Sequence, residues 1–167
     1  FASILALASL AQSPPSDAAL PPGFILESVP RPDGAAWDGA VGVTVSESGR
    51  LFVWEKAGRV WLVNQQQPVA TPILDLRNEV AAYQDHGMLG FALHPAFESN
   101  GLMYAFFVVE RHHLVNCDSP RDGVPVCGSS FSPGTHDPPN ATIGRIIRLQ
   151  ANLPAGELDY RNAESVL

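Results

Sequence analysis

Hydrophobic and polar residues alternate along four short segments between residues 40 and 76. In the first segment, AVGVTVS (residues 40–46), valines alternate with small or polar residues, which is the period of a β-strand. The segments RLFVWE (50–55), RVWLVN (59–64) and TPILDL (71–76) follow, and Ser-Gly and Ala-Gly turns join the first three. Since turns this short make consecutive strands antiparallel neighbours, the pattern predicts a four-stranded meander.

The same pattern then begins again with three apolar segments, GMLGFALH (87–94), LMYAFFVVE (102–110) and TIGRIIRLQ (142–150). The turns SESGRLFV (46–53) and FESNGLMYA (97–105) both place Glu-Ser and a glycine before an apolar strand, and Gly49 and Gly101 lie 52 positions apart. Four short strands that repeat at roughly 50 residues are typical of propeller blades. A β-sandwich of seven short strands remains an alternative.

The number of strands bears on whether the chain is complete. A propeller closes with about four to eight blades. This chain has strands for one blade and about three quarters of a second. We therefore expect an all-β chain, part of a β-propeller, that belongs to a longer protein and lacks residues at both ends. A sandwich complete in itself would instead melt cooperatively as these 167 residues alone.

Composition and charge exclude one class of partner. The 167 residues are 46% hydrophobic and include 15 prolines and 14 glycines, in keeping with many turns and short strands. The net charge is −7, and lysine and arginine do not cluster. A nucleic-acid partner is therefore not expected.

The N-terminal segment FASILALASLAQS predicts export. Its apolar run is too short to span a bilayer, so no membrane span is expected. It is typical of the hydrophobic region of a secretory signal, with Ser9-Leu10-Ala11 as a cleavage site, although a buried helix or strand is an alternative. We therefore divide the chain into a signal remnant (1–11), a Pro-rich linker (12–22) and the first propeller blades (23–167), in a secreted or periplasmic protein.

The two cysteines, Cys117 and Cys127, lie in the segment NCDSPRDGVPVC. In an exported chain, a pair across so short a loop predicts a disulfide. A metal site would need more cysteine or histidine at tetrahedral spacing, and none is predicted.

In a meander, alternate connections between strands lie at opposite ends of the sheet. Asp33–Gly39, Tyr83–His86 and the long segment Arg111–Asn140 should share one edge, where propeller sites form. Arg111–Asn140, about thirty residues without a strand pattern, is either a lid over the channel or a surface insertion. His94, followed by proline, ends a strand at the opposite edge and is expected to be structural.

Asp85 and His86 are the candidate site residues. They stand at the end of the link between blades, in DHGMLGFALHPAF (85–97), where Gly87 lets the chain turn into the next strand. A carboxylate beside an imidazole can orient a base or polarise a substrate hydroxyl. A solvated loop with the same residues is the alternative.

Three segments carry a resemblance to a known family. LPPGFILESV (20–29), ESGRLFVWEKAGRVWLV (47–63) and HGMLGFALHPAFESNGLMYAFFV (86–108) resemble the start of the soluble quinoprotein sugar dehydrogenases, the glucose/sorbosone dehydrogenase family. RHHLVN (111–116) and NATIGRIIRL (140–149) are most similar to its sorbosone-dehydrogenase-like branch. The resemblance runs from Leu20 to the end of the chain.

The resemblance implies a six-bladed propeller that binds pyrroloquinoline quinone (PQQ) and calcium on one face. In this family a histidine base takes the proton of the sugar C1 hydroxyl while hydride passes to the quinone. That histidine lies just beyond the counterpart of Asn162–Leu167, and the cofactor ligands follow it, so this chain alone is expected to be inactive. The family's substrate-side glutamine falls on Asp85, with Gln84 beside it.

Two functions of different classes follow from the resemblance. The first is an exported quinoprotein oxidoreductase, which oxidises an aldose or sorbosone-like sugar with PQQ and passes electrons to an acceptor. The second is a non-catalytic secreted propeller that serves as a binding module, as in the hedgehog-interacting relatives of the family. A histidine in the next blade and a cluster of arginine and lysine would distinguish the first from the second.

Overall fold

The computed structural model describes residues 20–63, 71–117, 127–137 and 142–151, together with the backbone of residues 164–166. The predicted signal remnant (1–11) and most of the linker (12–22) lie outside these ranges. Among the residues described, no helix has the length and apolarity needed to cross a bilayer.

The first sheet is the predicted meander. Its strands are antiparallel and lie in chain order, which confirms all four segments. Gly49, with φ of 82°, makes the turn between the first two strands. The strands are β1 (Ala40–Val45), β2 (Leu51–Glu55), β3 (Arg59–Leu62) and β4 (Leu74–Asp75).

The second sheet repeats this order with four strands. The three predicted segments are confirmed, and Glu164–Val166 adds a fourth strand that pairs with residues 146–148. This short strand lies within NAESVL (162–167), where the repeat of four strands places the beginning of a fourth strand. The elements are β5 (Met88–Leu93), α1 (Phe97–Asn100), β6 (Leu102–Val108), α2 (Arg111–Asn116), β7 (Gly144–Gln150) and β8 (Glu164–Val166).

The connectivity favours propeller blades over a sandwich. Each sheet consists of four consecutive strands, and the described strands include no exchange between sheets of the Greek-key kind that β-sandwiches use. The all-β class is confirmed, and the sheets have the topology of two neighbouring blades of a partial propeller.

Apolar side chains between the two sheets form the core. Phe52 is fully buried, and its ring lies 5.9 Å from that of Phe91 and 5.7 Å, edge-on, from that of Phe97. Because α1 places Phe97 over this junction, the connection between β5 and β6 also belongs to the interface. Replacing so buried an aromatic residue by alanine typically costs about 3–5 kcal/mol, so these rings fix the position of one sheet against the other.

The outer faces of both sheets expose apolar residues. Val41, Val43 and Val45, whose alternation predicted β1, are 51–59% exposed on the first sheet. On the second sheet the cross-strand partners Phe106 and Ile146 are 41% and 50% exposed. Faces of this kind are covered by adjacent blades in a propeller.

Candidate functional site

The connections predicted to share one edge do so, as far as the structure describes them. At the end of β2, Lys56 donates its backbone N–H to the Gly39 carbonyl (2.8 Å), and its side chain donates to the Gln84 carbonyl. Next to β6, the Glu110 N–H donates to the Glu79 carbonyl (2.7 Å). We call this end of the two sheets the upper edge; it comprises residues 31–39, 55–59, 76–87 and 110–116.

A buried carboxylate organises the first half of the upper edge. Glu55 is inaccessible to solvent. Its Oε1 accepts hydrogen bonds from the Asp38 N–H (2.7 Å) and from Arg31 Nη1 (3.1 Å), and its Oε2 accepts one from Trp61 Nε1 (3.1 Å). Arg59 Nε lies 2.6 Å from Oε2 as an ion pair, outside hydrogen-bond geometry. The carboxylate is thereby saturated and fixes the segment before β1.

These contacts keep Glu55 ionised. Burial raises the pKa of its carboxyl, but hydrogen bonds from the Asp38 N–H, Trp61 and Arg31 and the charge of Arg59 outweigh burial, and the pKa lies below its usual value. Arg31 is itself shared with Asp33, at 2.7 Å and 2.9 Å. The role of this cluster is therefore structural.

A second buried cluster organises the other half of the upper edge. Glu110 Oε2 accepts the His113 N–H (3.1 Å) and caps α2, while Oε1 accepts the Asp137 N–H (2.6 Å). Beneath it, Arg145 donates to the Glu79 carboxylate, and both side chains are buried. Together these groups hold α2 and the segment around Asp137 on the sheet.

The candidate residues Asp85 and His86 lie in a tight turn at the middle of the upper edge. The His86 N–H donates to the Tyr83 carbonyl (2.8 Å), and Gln84 adopts a φ of 47°, in the left-handed region that few non-glycine residues enter. Asp85 is exposed and His86 is half-buried. The turn therefore presents the Asp85 carboxylate to solvent.

Lys56 fastens this turn to the first sheet. Its backbone carbonyl accepts the Met88 N–H (2.9 Å), and its side chain donates to the Gln84 carbonyl. Gly87 lies between them with φ of 137°, and a Cβ there would lie 2.9 Å from the Lys56 carbonyl oxygen. Only glycine fits this position without displacing the turn.

The segment after β6 begins with a short helix. Residues 111–116, which have no strand pattern in the sequence, form α2. The reason is local, because the Glu110 carboxylate caps the first turn of the helix. His112 stacks on Phe131 (5.6 Å between ring centroids), and its Nε2 accepts the Ser132 N–H (3.1 Å).

The predicted Cys117–Cys127 disulfide is confirmed. It joins the C-terminal end of α2 to the segment that begins at residue 127. His113, one helical turn earlier, is 3% exposed, and neither ring nitrogen has a hydrogen-bond partner of normal geometry. The Asn78 backbone lies near the ring and raises its pKa, but less than burial lowers it. Burial lowers the pKa of His113 below its usual value, which keeps the ring neutral.

The opposite edge is structural, as expected. His94 Nδ1 accepts the Ala96 N–H (3.0 Å) and pairs with Asn100 Nδ2 (2.9 Å), so this histidine shapes the turn into α1. The two matching Glu-Ser turns contact each other there. Glu98 Oε1 accepts the Ser48 N–H (3.0 Å), and Oε2 lies 2.5 Å from an Arg50 nitrogen.

A sequence motif indicates the two buried carboxylates, although the alternation pattern of the strands does not. Both second strands run into the same motif, FVWE (52–55) in the first sheet and FVVE (107–110) in the second. A glutamate that ends an apolar run in both repeats indicates a shared role. Motif spacing gave no sign of the burial of His113 beside the disulfide.

The described upper edge does not by itself fit PQQ, a quinone with three carboxylates. The cations in and beside it are engaged within the chain: Arg31 and Arg59 with Glu55, Arg77 with Asp75, Arg145 with Glu79, and Lys56 with a backbone carbonyl. Arg111 is not free either. A polyanion would have to displace these partners, so any PQQ site needs further cationic residues.

Three comparisons with known proteins show what this chain is similar to. Residues 37–118 match the family model described as glucose/sorbosone dehydrogenase. The HIPL2 protein of Arabidopsis thaliana is 27% identical over 150 residues, which cover 68% of this chain and 20% of the plant protein. The PQQ-bound form of the aldose sugar dehydrogenase from Streptomyces coelicolor aligns with 86% of this chain and 33% of its own, at 19% identity and a TM-score of 0.49. The chain thus spans a fifth to a third of the length of these two proteins.

Proposed function

We propose that the protein is an exported quinoprotein oxidoreductase, because residues 37–118 match the glucose/sorbosone dehydrogenase family model. It oxidises an aldose or a sorbosone-like sugar, with PQQ as the hydride acceptor. This chain supplies two neighbouring blades of a six-bladed propeller. The protein acts outside the cytoplasm, where the disulfide persists.

The observation that supports a substrate-side role is the fastening of the Tyr83–His86 turn. Lys56 holds the turn from its backbone and from its side chain, and Asp85 is exposed on it. A carboxylate in a fixed turn accepts a hydrogen bond from a sugar hydroxyl at little cost in ordering. His86 supplies a second polar contact in this proposal.

PQQ and calcium are held in this proposal by residues outside the described ones. PQQ supplies the two-electron chemistry when bound, and a further protein or small molecule accepts the electrons. The described residues of this chain bind and orient the sugar.

The test is dye reduction by the full-length protein supplied with PQQ, calcium and a panel of aldoses and sorbosone. Asp85→Asn is expected to raise KM for the sugar about 10- to 100-fold, since hydrogen bonds to charged groups contribute about 1.5–3 kcal/mol. Glu47→Gln, on the exposed turn at the opposite edge, is the matched control and should leave KM unchanged. No dye reduction with any sugar would overturn the proposal.

The second candidate is a non-catalytic secreted propeller that binds a partner protein. The similarity to the Arabidopsis HIPL2 protein is compatible with it. In that case the full-length protein neither binds PQQ nor reduces dye, and Asp85→Asn affects only partner binding. The same assay, together with titration of PQQ, therefore separates the two functions.

A further inference from the structure

His113 and the two cysteines form a cluster that the proposed function does not use. One ring nitrogen of His113 and the sulfurs of Cys117 and Cys127 all lie within 4.8 Å of one another. His113 is buried, and both of its ring nitrogens lack hydrogen-bond partners. Buried polar groups in native proteins are nearly always paired, so an unpaired imidazole beside two sulfurs requires an explanation.

We propose that reduction of the Cys117–Cys127 disulfide converts this cluster into a site for one borderline-soft divalent cation such as Zn²⁺. The ligands are His113 and the two cysteine thiolates, and water completes a tetrahedral set. Two sulfurs and one imidazole are a donor set that Zn²⁺ prefers, and an open fourth position is usual for sites with three protein ligands.

The backbone keeps the three ligands in place without the covalent bond. Cys117 is the C-cap of α2, one turn after His113, and its N–H donates to the His113 carbonyl (2.9 Å). Cys127 pairs with Cys117 as an antiparallel bridge, and the Gly128 N–H donates to the Asn116 carbonyl (2.8 Å). Breaking the disulfide therefore leaves the cysteines adjacent.

Neighbouring groups hold the imidazole and favour a cation. The Phe131 ring lies edge-on to His113, 5.6 Å away between centroids, and the Glu110 carboxylate accepts the His113 backbone N–H. The Glu79 and Glu110 carboxylates act electrostatically on the ring, against the one positive charge of Arg145. The surroundings thus carry more negative than positive charge.

The reaction requires a dithiol reductant. A thiolate of the dithiol attacks one cysteine sulfur, and the S–S bond breaks. The second thiol of the reductant then attacks the reductant's own sulfur in the mixed disulfide and releases the cysteine. The reductant leaves as a cyclic disulfide, oxidised by two electrons, and its two protons end on the two cysteine thiols. Binding of Zn²⁺ displaces the two thiol protons to solvent.

The experiment compares the oxidised and the reduced full-length protein. After reduction and anaerobic removal of the reductant, Zn²⁺ is titrated in competition with a chromogenic chelator, and Co²⁺ is used to detect thiolate-to-metal absorption. The reduced protein is expected to bind one Zn²⁺ that the oxidised protein and the Cys117→Ser/Cys127→Ser variant do not bind. Equal binding by all three, or no binding by the reduced protein, would overturn the proposal.

A histidine variant tests the third ligand. His113→Gln is expected to weaken Zn²⁺ binding by at least about tenfold, which is the smallest loss that even an outer-sphere substitution usually causes. His136→Gln, at an exposed position in the same segment, is the matched control. Should His113→Gln fail to fold, the imidazole nitrogen resonances of His113 in the reduced wild-type protein provide the readout. Resonances that do not move on adding Zn²⁺ would exclude His113 as a ligand.

Discussion

Glu55 and Glu110 have the same role in the two sheets: Glu55 ends β2, Glu110 follows β6 by two residues, both are buried, and each accepts a backbone N–H from another segment. The Asp38 N–H lies 2.7 Å from Glu55 Oε1, and the Asp137 N–H lies 2.6 Å from Glu110 Oε1. They are 0% and 2% exposed. In both halves of the upper edge, a buried carboxylate thus holds a loop against its sheet by accepting a backbone hydrogen bond.

Glu55→Gln is expected to lower the free energy of unfolding by about 3–5 kcal/mol, the usual cost of removing one partner from a buried ion pair. The amide keeps the volume of the side chain but leaves Arg31 and Arg59 with an uncharged partner. Urea unfolding followed by fluorescence measures the change. Glu47→Gln, an exposed glutamate on the turn after β1, is the control and should stay within about 0.5 kcal/mol of the wild type.

Acid is expected to weaken the contact between the two matching turns through Glu98. The hydroxyls of Ser48 and Ser46, the Ser48 N–H and the charge of Arg50 lower the pKa of Glu98 to about 2, against a small effect of burial. Since the pKa is lower in the folded than in the unfolded protein, the stabilisation is complete above 4.5 and is lost as the pH falls toward 2.

Unfolding at several pH values between 2 and 6 tests this dependence. Glu98→Gln should be less stable than the wild type at pH 6, and the difference should vanish near pH 2. Arg50→Gln should keep most of the pH dependence, because the hydroxyls contribute more than the guanidinium. A difference between Glu98→Gln and the wild type that stays constant across this range would contradict the assignment.

The strands could be predicted from the sequence because their signals are local. Alternating valines marked β1, and glycine turns marked the ends of β2 and β6. The fourth strand of the second sheet was expected only from the repeat of four strands, since Glu164–Val166 has three residues and no apolar run. Its place is set by pairing with β7, which is a contact that periodicity does not reveal.

The upper edge was predicted in outline, and its chemistry was not. Topology sorted the described connections correctly, and the short loop between two cysteines in a chain expected to be exported predicted the disulfide. The burial of Glu55, by contrast, involves Arg31, 24 residues away, and that of Glu110 involves Asp137, 27 residues away. Such contacts between distant segments decide whether a charged residue is a solvent-exposed group or a buried anchor.

Removal of the disulfide by Cys117→Ala/Cys127→Ala is expected to lower the free energy of unfolding by about 2–3 kcal/mol, because the unfolded chain regains the entropy of an open loop. The fold should persist, because the antiparallel backbone bridge between residues 117 and 127 and the Glu110 cap of α2 remain. Circular dichroism checks the fold, and urea unfolding gives the energy. Wild-type protein unfolded in the presence of a reductant should lose the same amount, and the double variant should be insensitive to the reductant.

Gly87→Ala is expected to disturb the turn that carries Asp85. The substitution combines a φ of 137° with a Cβ 2.7 Å from Lys56 Cγ and 2.9 Å from the Lys56 carbonyl oxygen, so the link between the sheets must shift. We expect a loss of stability of about 1–3 kcal/mol, the range for a strained backbone position.

The matched control is Gly34→Ala, which shares a positive φ (76°) but has no atom within 4 Å of the added Cβ. Its loss should be smaller, because it carries the backbone strain without the clash. If the proposed substrate contact is correct, Gly87→Ala also raises KM for the sugar in the full-length protein, and Gly34→Ala does not. Equal losses of stability in the two variants would mean that Lys56 does not fasten the turn, and the argument for Asp85 would lose its structural support.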